Sequence, residues 1–260
     1  MEFKPHKARP PVEVLNPVSC FLYSLLVRSP IVSQIPQSPQ TPIKRVVFCD
    51  FDGTITAEET FVGMLKEFTP ELSAQLMPQM YARHLTLREG VRQLLESIPS
   101  SRYPAILEYT KTKAIRPGLV ELLDFLDAKG VPFVVVSGGL RGMVETTLSQ
   151  VGTGEKSLKE RVAGIYAIDV DSTSDFLQVH SEFEEGTEMV SKVQVMAQHP
   201  AQEQIAIGDS VTDLNMALYT PVVFARDRLI HYLDEHNKSY IPWNDFFDIR
   251  QALSQRWQNT

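Results

Sequence analysis

The chain has 260 residues, 43% of them apolar and 22% charged, with a formal net charge of −7. That length accommodates one large α/β domain or a core with a small accessory domain, and the composition excludes wholesale disorder or a fibrous role. An acidic balance with no basic stripe argues against nucleic acid as a partner, and no apolar run reaches the roughly 18 to 20 residues of a membrane span.

Residues 1–40 are rich in Pro, Ser and Gln and read as a poorly ordered N-terminal extension, a composition that a transit peptide would share. Cys20 and Cys49 are too few for a disulfide framework and have no metal-ligand spacing, so a soluble protein of a reducing, cytoplasmic compartment is expected. From Arg45 to Cys49 a short apolar run ends abruptly in Asp50-Phe51-Asp52-Gly53-Thr54, the pattern of a buried strand that stops at a polar loop. Residues 58–114 then show helical periodicity, with Val91, Leu94, Leu95 and Ile98 on one side and no comparable strand.

Leu119 to Lys129 is a clear amphipathic helix: Pro117 precedes it, Leu119, Leu122, Leu123 and Leu126 share a face, and Gly130 closes it. Strand-like runs recur at Val131–Val136, Gln204–Ile207 and Val222–Phe224, and weaker ones near Val162–Ile168 and Phe176–Val179. Strands alternating with helices predict an α/β protein with a Rossmann-like parallel sheet, made of residues 41–57 and 115–260, and an inserted small helical cap over 58–114. In such sheets ligands sit beyond the carboxyl ends of the strands.

Three of those strand ends carry polar motifs. Asp50 and Asp52 place two carboxylates after the first strand, and Gly53 and Thr54 let the backbone turn closely around a phosphate. Ser137-Gly138-Gly139 follows the second run and offers a hydroxyl and backbone N–H groups to an anion. Gly208-Asp209-Ser210-Val211-Thr212-Asp213 follows the third and adds two more acids, one of which could complete a metal site with Asp50. Each alone reads equally as turn or helix-cap chemistry, with Asp209 or Ser210 as the N-cap.

In order and together, Asp50-Phe-Asp-Gly-Thr, Ser137, a downstream lysine and Gly208-Asp209-x3-Asp213 resemble the motifs of the haloacid dehalogenase superfamily. The resemblance covers residues 44 to about 225. It implies a magnesium-dependent phosphatase with Asp50 as nucleophile, Asp52 as general acid and base, and Ser137, Gly138 and Lys192 at the phosphate. It further implies that Mg2+ is held by the Asp50 and Asp209 carboxylates and the Asp52 carbonyl, with Asp213 in support. Lys192 rests on motif order, and Lys156 and Lys159 are its rivals.

The helical insert resembles the cap of the phosphoserine phosphatase-like group, in which Glu59 would face a substrate amine. Leu85-Thr86-Leu87-Arg88-Glu89-Gly90-Val91, however, carries Gly90 where that group has an arginine for the substrate carboxylate. Segments such as Leu87–Val91, Ala114-Ile-Arg-Pro-Gly118 and Phe224-Ala-Arg-Asp227 resemble more closely the methionine-salvage phosphatases that act on 2-hydroxy-3-keto-5-methylthiopentenyl-1-phosphate. Its small phosphorylated substrate would then carry a thioether tail, which Phe61, Met64, Leu65 and Met77 could line if they are not simply helix core. A phosphoserine phosphatase, another small-metabolite phosphatase and a non-catalytic binding module are the alternatives, and oligomeric state is left open.

Overall fold

The computed structural model describes residues 43–153 and 156–258; the expected extension at 1–40 and Cys20 lie outside the described residues. β1 (Ile43–Cys49) leads into four helices, α1 (Thr60–Phe68), α2 (Pro70–Tyr81), α3 (Leu87–Glu96) and α4 (Tyr103–Lys111). They are followed by α5 (Leu119–Ala128), β2 (Phe133–Leu140), α6 (Arg141–Ser149), two short paired strands β3 (Gly152–Thr153) and β4 (Lys156–Ser157), and α7 (Leu158–Arg161). The chain continues through β5 (Gly164–Asp171), β6 (Gln178–His180), α8 (Lys192–Gln198), β7 (Ala201–Gly208), α9 (Leu214–Tyr219) and β8 (Val222–Ala225). It closes with α10 (Asp227–Glu235), β9 (Ile241–Pro242) and α11 (Phe246–Gln258).

Seven strands form one sheet in the order β6-β5-β2-β1-β7-β8-β9, parallel throughout except for the edge pair β5 and β6. Strand side chains alternate between faces, and the sequence exploits this. Val46, Phe48, Val134, Val136 and Ala206 pack with Met64, Leu65, Leu94, Leu95 and Ile106 of the helices after β1. Their neighbours Val47, Cys49, Phe133, Val135, Ile205 and Ile207 pack on the other side with Leu119, Leu122, Leu123 and Leu126 of α5 and with Ile249 and Leu253 of α11. Each of these side chains is almost wholly buried, worth about 1.5 to 3 kcal/mol apiece for the larger ones.

The expected α/β architecture is therefore present, with local differences that have physical causes. β2 does not stop at Val136: Ser137, Gly138 and Gly139 remain in the strand, and its pairing with β5 shifts register between Val136 and Leu140. The polar segment expected beyond the strand is a bulged part of it, as suits glycines free of packing demands. The stretch after β1 is helical, as expected, but α3 ends at Glu96, and Ile98 is buried just beyond the helix rather than on it. A capping box between Thr86 and Glu89 starts α3, with Thr86 Oγ1 accepting the Glu89 N–H.

Candidate active site

β1 and β7 are adjacent and in register, Cys49 opposite Ile207, so the acids that follow each strand emerge side by side. The Asp50 N–H donates to Ile207 O at 2.9 Å and continues that pairing one residue past the strand. The carboxylates of Asp50, Asp209 and Asp213 lie within 4.8 Å of one another, and all three residues are buried. Lys192, the first residue of α8 and 2% exposed, reaches into this cluster, its Nζ donating at 2.5 Å to both Asp50 Oδ1 and Asp213 Oδ1. Of the three candidate lysines it alone is placed there; Lys159 pairs with Glu145 on the surface and Lys156 is exposed.

Asp213 is fully occupied. Besides the Lys192 contact on Oδ1, its Oδ2 accepts the N–H groups of Asp209 and Ser210 at 3.0 Å. Ser210, not Asp209, caps the short 3-10 turn over Val211–Asp213, in a reciprocal box with Asp213. Asp209 keeps one oxygen for other partners, since Thr54 Oγ1 donates to its Oδ1 at 3.0 Å.

The loop after β1 is shaped by two demands. Gly53 has φ +80°, and a Cβ there would come within 2.6 Å of Asp209 Oδ2, so both backbone conformation and close approach require glycine. Arg116, buried from 60 residues downstream, donates to the carbonyls of Gly53 at 2.6 Å, Thr54 at 3.0 Å and Thr56 at 3.4 Å. Asp52 turns toward α1, where its Oδ1 accepts the Phe61 N–H at 2.8 Å in the helix's first turn. Thr54, expected from the sequence only to help the backbone turn, also holds Asp209, and the loop contacts of Arg116 are what motif reasoning passed over.

Charge in this small space is costly. Burial, reinforced by Asp213 and opposed by Lys192, pushes the Asp50 carboxyl up to about 7. Burial also pushes Asp52 up to about 7, with the Phe61 N–H pulling it back and Asp50 adding to the rise. Burial and the Asp50 charge push Asp209 up to about 8. For Lys192 burial favours the neutral amine, but Asp213 and Asp50 outweigh it and hold the ammonium charged well above its ordinary range.

These groups open onto a cavity of about 620 Å³. Asp50, Asp52, Lys192, Asp209, Gly138 and Gly139 line it, as do the apolar Phe61, Val62, Leu65, Met77, Met80, Leu85, Leu87 and Val91, with Arg83, Thr86 and Glu188 among the further polar residues. Ser137 and Gly53 are not on the lining: Ser137 is fully buried and its Oγ accepts the Gly139 N–H at 3.0 Å. Of the four apolar candidates from the sequence, Phe61, Leu65 and Met77 line the cavity, whereas Met64 is core. Glu59 lies on the lining but is ion-paired with Arg228 of α10. Gly90 is buried behind Met80: a Cβ on it would meet Met80 Sδ at 2.2 Å. A separate groove of about 590 Å³ between α5 and α11 holds none of the motif residues.

The acidic cluster offers oxygen donors only, the kind that suit a hard divalent cation such as Mg2+ better than zinc. Among the described residues no helix is long and apolar enough to cross a membrane.

Comparison with known proteins places this arrangement. The family described as haloacid dehalogenase-like hydrolase matches residues 47–218. A 2-hydroxy-3-keto-5-methylthiopentenyl-1-phosphate phosphatase of Microcystis aeruginosa (strain NIES-843 / IAM M-2473) is 56% identical over 214 residues, covering 82% of this chain and 100% of the relative. A phosphatase of the same name from Bacillus cereus (strain ATCC 10987 / NRS 248) is 31% identical over 216 residues, covering 80% and 94%. Among solved structures, the phosphoserine phosphatase from T. onnurineus in complex with NDSB-201 superposes with a TM-score of 0.59 at 18% identity, covering 84% of this chain and 97% of that one, a likeness of fold alone. With the family matched over residues 47–218, across the ends of β1 and β7, and a relative matched along its entire length, the chain belongs to the haloacid dehalogenase-like hydrolases.

Proposed function

We propose that this chain is a magnesium-dependent phosphatase that hydrolyses 2-hydroxy-3-keto-5-methylthiopentenyl-1-phosphate through a phospho-aspartate on Asp50. The observation that carries the reading is a single cavity lined by Asp50, Asp52, Lys192 and Asp209 together with an apolar set from α1, α2 and α3 that includes Phe61, Leu65, Met77, Met80 and Val91. In this reading α1 to α4 act as a cap over the strand ends, and the core is built from residues 41–57 and 115–260.

The first step forms a bond between an Asp50 carboxylate oxygen and phosphorus and breaks the bond to the substrate oxygen, which takes the Asp52 proton as it leaves. With its carboxyl lifted to about 7, Asp52 is protonated in a substantial fraction of molecules near neutral pH, whereas an ordinary aspartate would be almost fully ionised. In the second step the now ionised Asp52 takes a proton from water as the water attacks phosphorus, and Asp50 departs as a carboxylate. Lys192, whose Nζ donates to Asp50, would bind a phosphoryl oxygen. Gly138 would present its backbone to the same group, while Ser137 holds the bulged end of β2 in place by accepting the Gly139 N–H. The Asp50 and Asp209 carboxylates, with the Asp52 carbonyl, would hold Mg2+, with Asp213 orienting Asp209 and Lys192 around them. The ion supplies charge neutralisation for the phosphoryl oxygens.

Two observations favour a tail-bearing substrate over phosphoserine. Glu59 already has a cationic partner in Arg228, and the place in which a carboxylate-binding arginine would rise at residue 90 is filled by Met80. The test is phosphate release by the purified protein with Mg2+ from the methylthiopentenyl phosphate and from phosphoserine. The former should have a kcat/KM at least about tenfold larger. A larger value for phosphoserine would overturn the substrate assignment and leave the phospho-aspartate chemistry standing.

A further inference from the structure

Met80, at the end of α2, is 9% exposed and forms part of the cavity lining, and its side chain rests against the bare Cα of Gly90 on α3. An ideal Cβ at residue 90 would lie 2.2 Å from Met80 Sδ, 2.7 Å from its Cγ and 3.1 Å from Leu85 Cδ2. Gly90 has ordinary helical geometry inside a capped helix, where glycine costs roughly 0.5 to 1 kcal/mol relative to alanine. The helix does not need it. What needs it is the thioether of Met80, an unbranched side chain that fills irregular gaps and moves when pressed.

We propose that Gly90 is a positioning residue for substrate specificity: by leaving a recess for Met80 it keeps the apolar wall set back, and that recess sets how long an unbranched apolar tail the cavity admits. The inference rests on the tail-bearing substrate proposed above. Gly90 does not itself line the cavity, so it acts through Met80. A methyl group at residue 90 would drive the Met80 side chain toward the cavity that it lines and shorten the space opposite the carboxylates. Leu85, Leu87 and Val91 line the same cavity and offer the tail hydrocarbon contacts beside Met80.

The test is calorimetric binding of straight-chain alkylphosphonates, from ethyl to hexyl, to the protein with Mg2+, which reads the cavity without requiring turnover. For wild type, Kd should fall roughly two- to fourfold per added methylene until the wall is reached. In Gly90→Ala the ratio of ethyl to hexyl Kd should shrink at least about tenfold, and in Gly90→Ala with Met80→Ala it should return to the wild-type value or beyond. A wild type indifferent to chain length would refute the tail-bearing substrate itself. A normal length dependence in wild type that persists in Gly90→Ala, or a uniform weakening of all the phosphonates, would overturn the role of Gly90 and leave the substrate reading intact. If Gly90→Ala does not fold, the double variant decides: failure to fold, or failure to recover the length dependence, refutes Met80 as the group that Gly90 accommodates.

Discussion

Lys192 Nζ sits 2.5 Å from Asp50 Oδ1 and 2.5 Å from Asp213 Oδ1, so one buried ammonium spans the end of β1 and the loop after β7. Removing it leaves two buried carboxylates facing each other without a cation. Lys192→Ala should therefore lose stability, by about 3 to 5 kcal/mol in denaturant unfolding, and turnover by at least about a hundredfold. A variant as stable and active as wild type would mean that the ammonium contributes nothing the cluster requires.

Asp50→Asn keeps shape and removes the nucleophile. Residual turnover should lie below about 1% of wild type, since loss of a covalent nucleophile costs orders of magnitude. Lys192 retains Asp213 as partner, so the fold should survive. Acid-quenched protein should carry phosphate on wild type and none on the variant; labelled phosphate on the variant would relocate the nucleophile.

The two proton transfers assigned to Asp52 can be separated by the leaving group. With p-nitrophenyl phosphate, whose phenolate needs little acid assistance, Asp52→Asn should release about one equivalent of nitrophenol rapidly and then turn over slowly. With an alkyl phosphate both the burst and the turnover should be lost. Equal impairment of all phases with both substrates would argue that Asp52 serves only to anchor α1 through Phe61.

The acidic cluster makes stability depend on pH with a definite sign. Asp50, Asp52 and Asp209 are raised in the folded chain, to about 7, 7 and 8, above the ordinary value of 3.8. Between those limits the unfolded chain holds fewer protons than the folded one, so metal-free stability from these groups is greatest at low pH and declines as pH rises toward 8. Mg2+ competes with those protons, and its stabilising effect should grow over the same interval. Thermal melts at pH 6 and pH 8.5, with EDTA or with Mg2+, should show a larger Tm rise from metal at the higher pH. Chelation should abolish turnover until Mg2+ is restored, and Asp209→Ala should raise the Mg2+ requirement.

Much of this site was legible because its chemistry dictates residue types at strand ends. Asp50, Asp52, Asp209 and Asp213 announce themselves by following apolar runs, and the parallel register of β1 and β7 does the rest. Lys192 was visible only by order, because the loop before α8 carries no pattern that says it folds inward. The end of β2 was misplaced for a related reason: glycines signal a turn, yet here a register shift absorbs them within the strand. Arg116, Arg228 and Met80 were silent because their meaning lies in partners far along the chain or on a neighbouring helix. Local patterns report which face a side chain takes; they carry nothing about which distant carbonyl, carboxylate or missing Cβ it will meet.

Gly53 also constrains how this protein can drift. Its left-handed backbone and its contact with Asp209 are separate requirements, so relieving one does not relieve the other. Shortening the residue at 209 would open room for a side chain at 53 but leave the unfavourable φ, while asparagine, which tolerates that φ, would still strike the carboxylate. A substitution at residue 53 is therefore accommodated only when both are met together, as by asparagine at 53 with a shortened residue at 209, and that pairing removes the Asp209 carboxylate proposed for Mg2+.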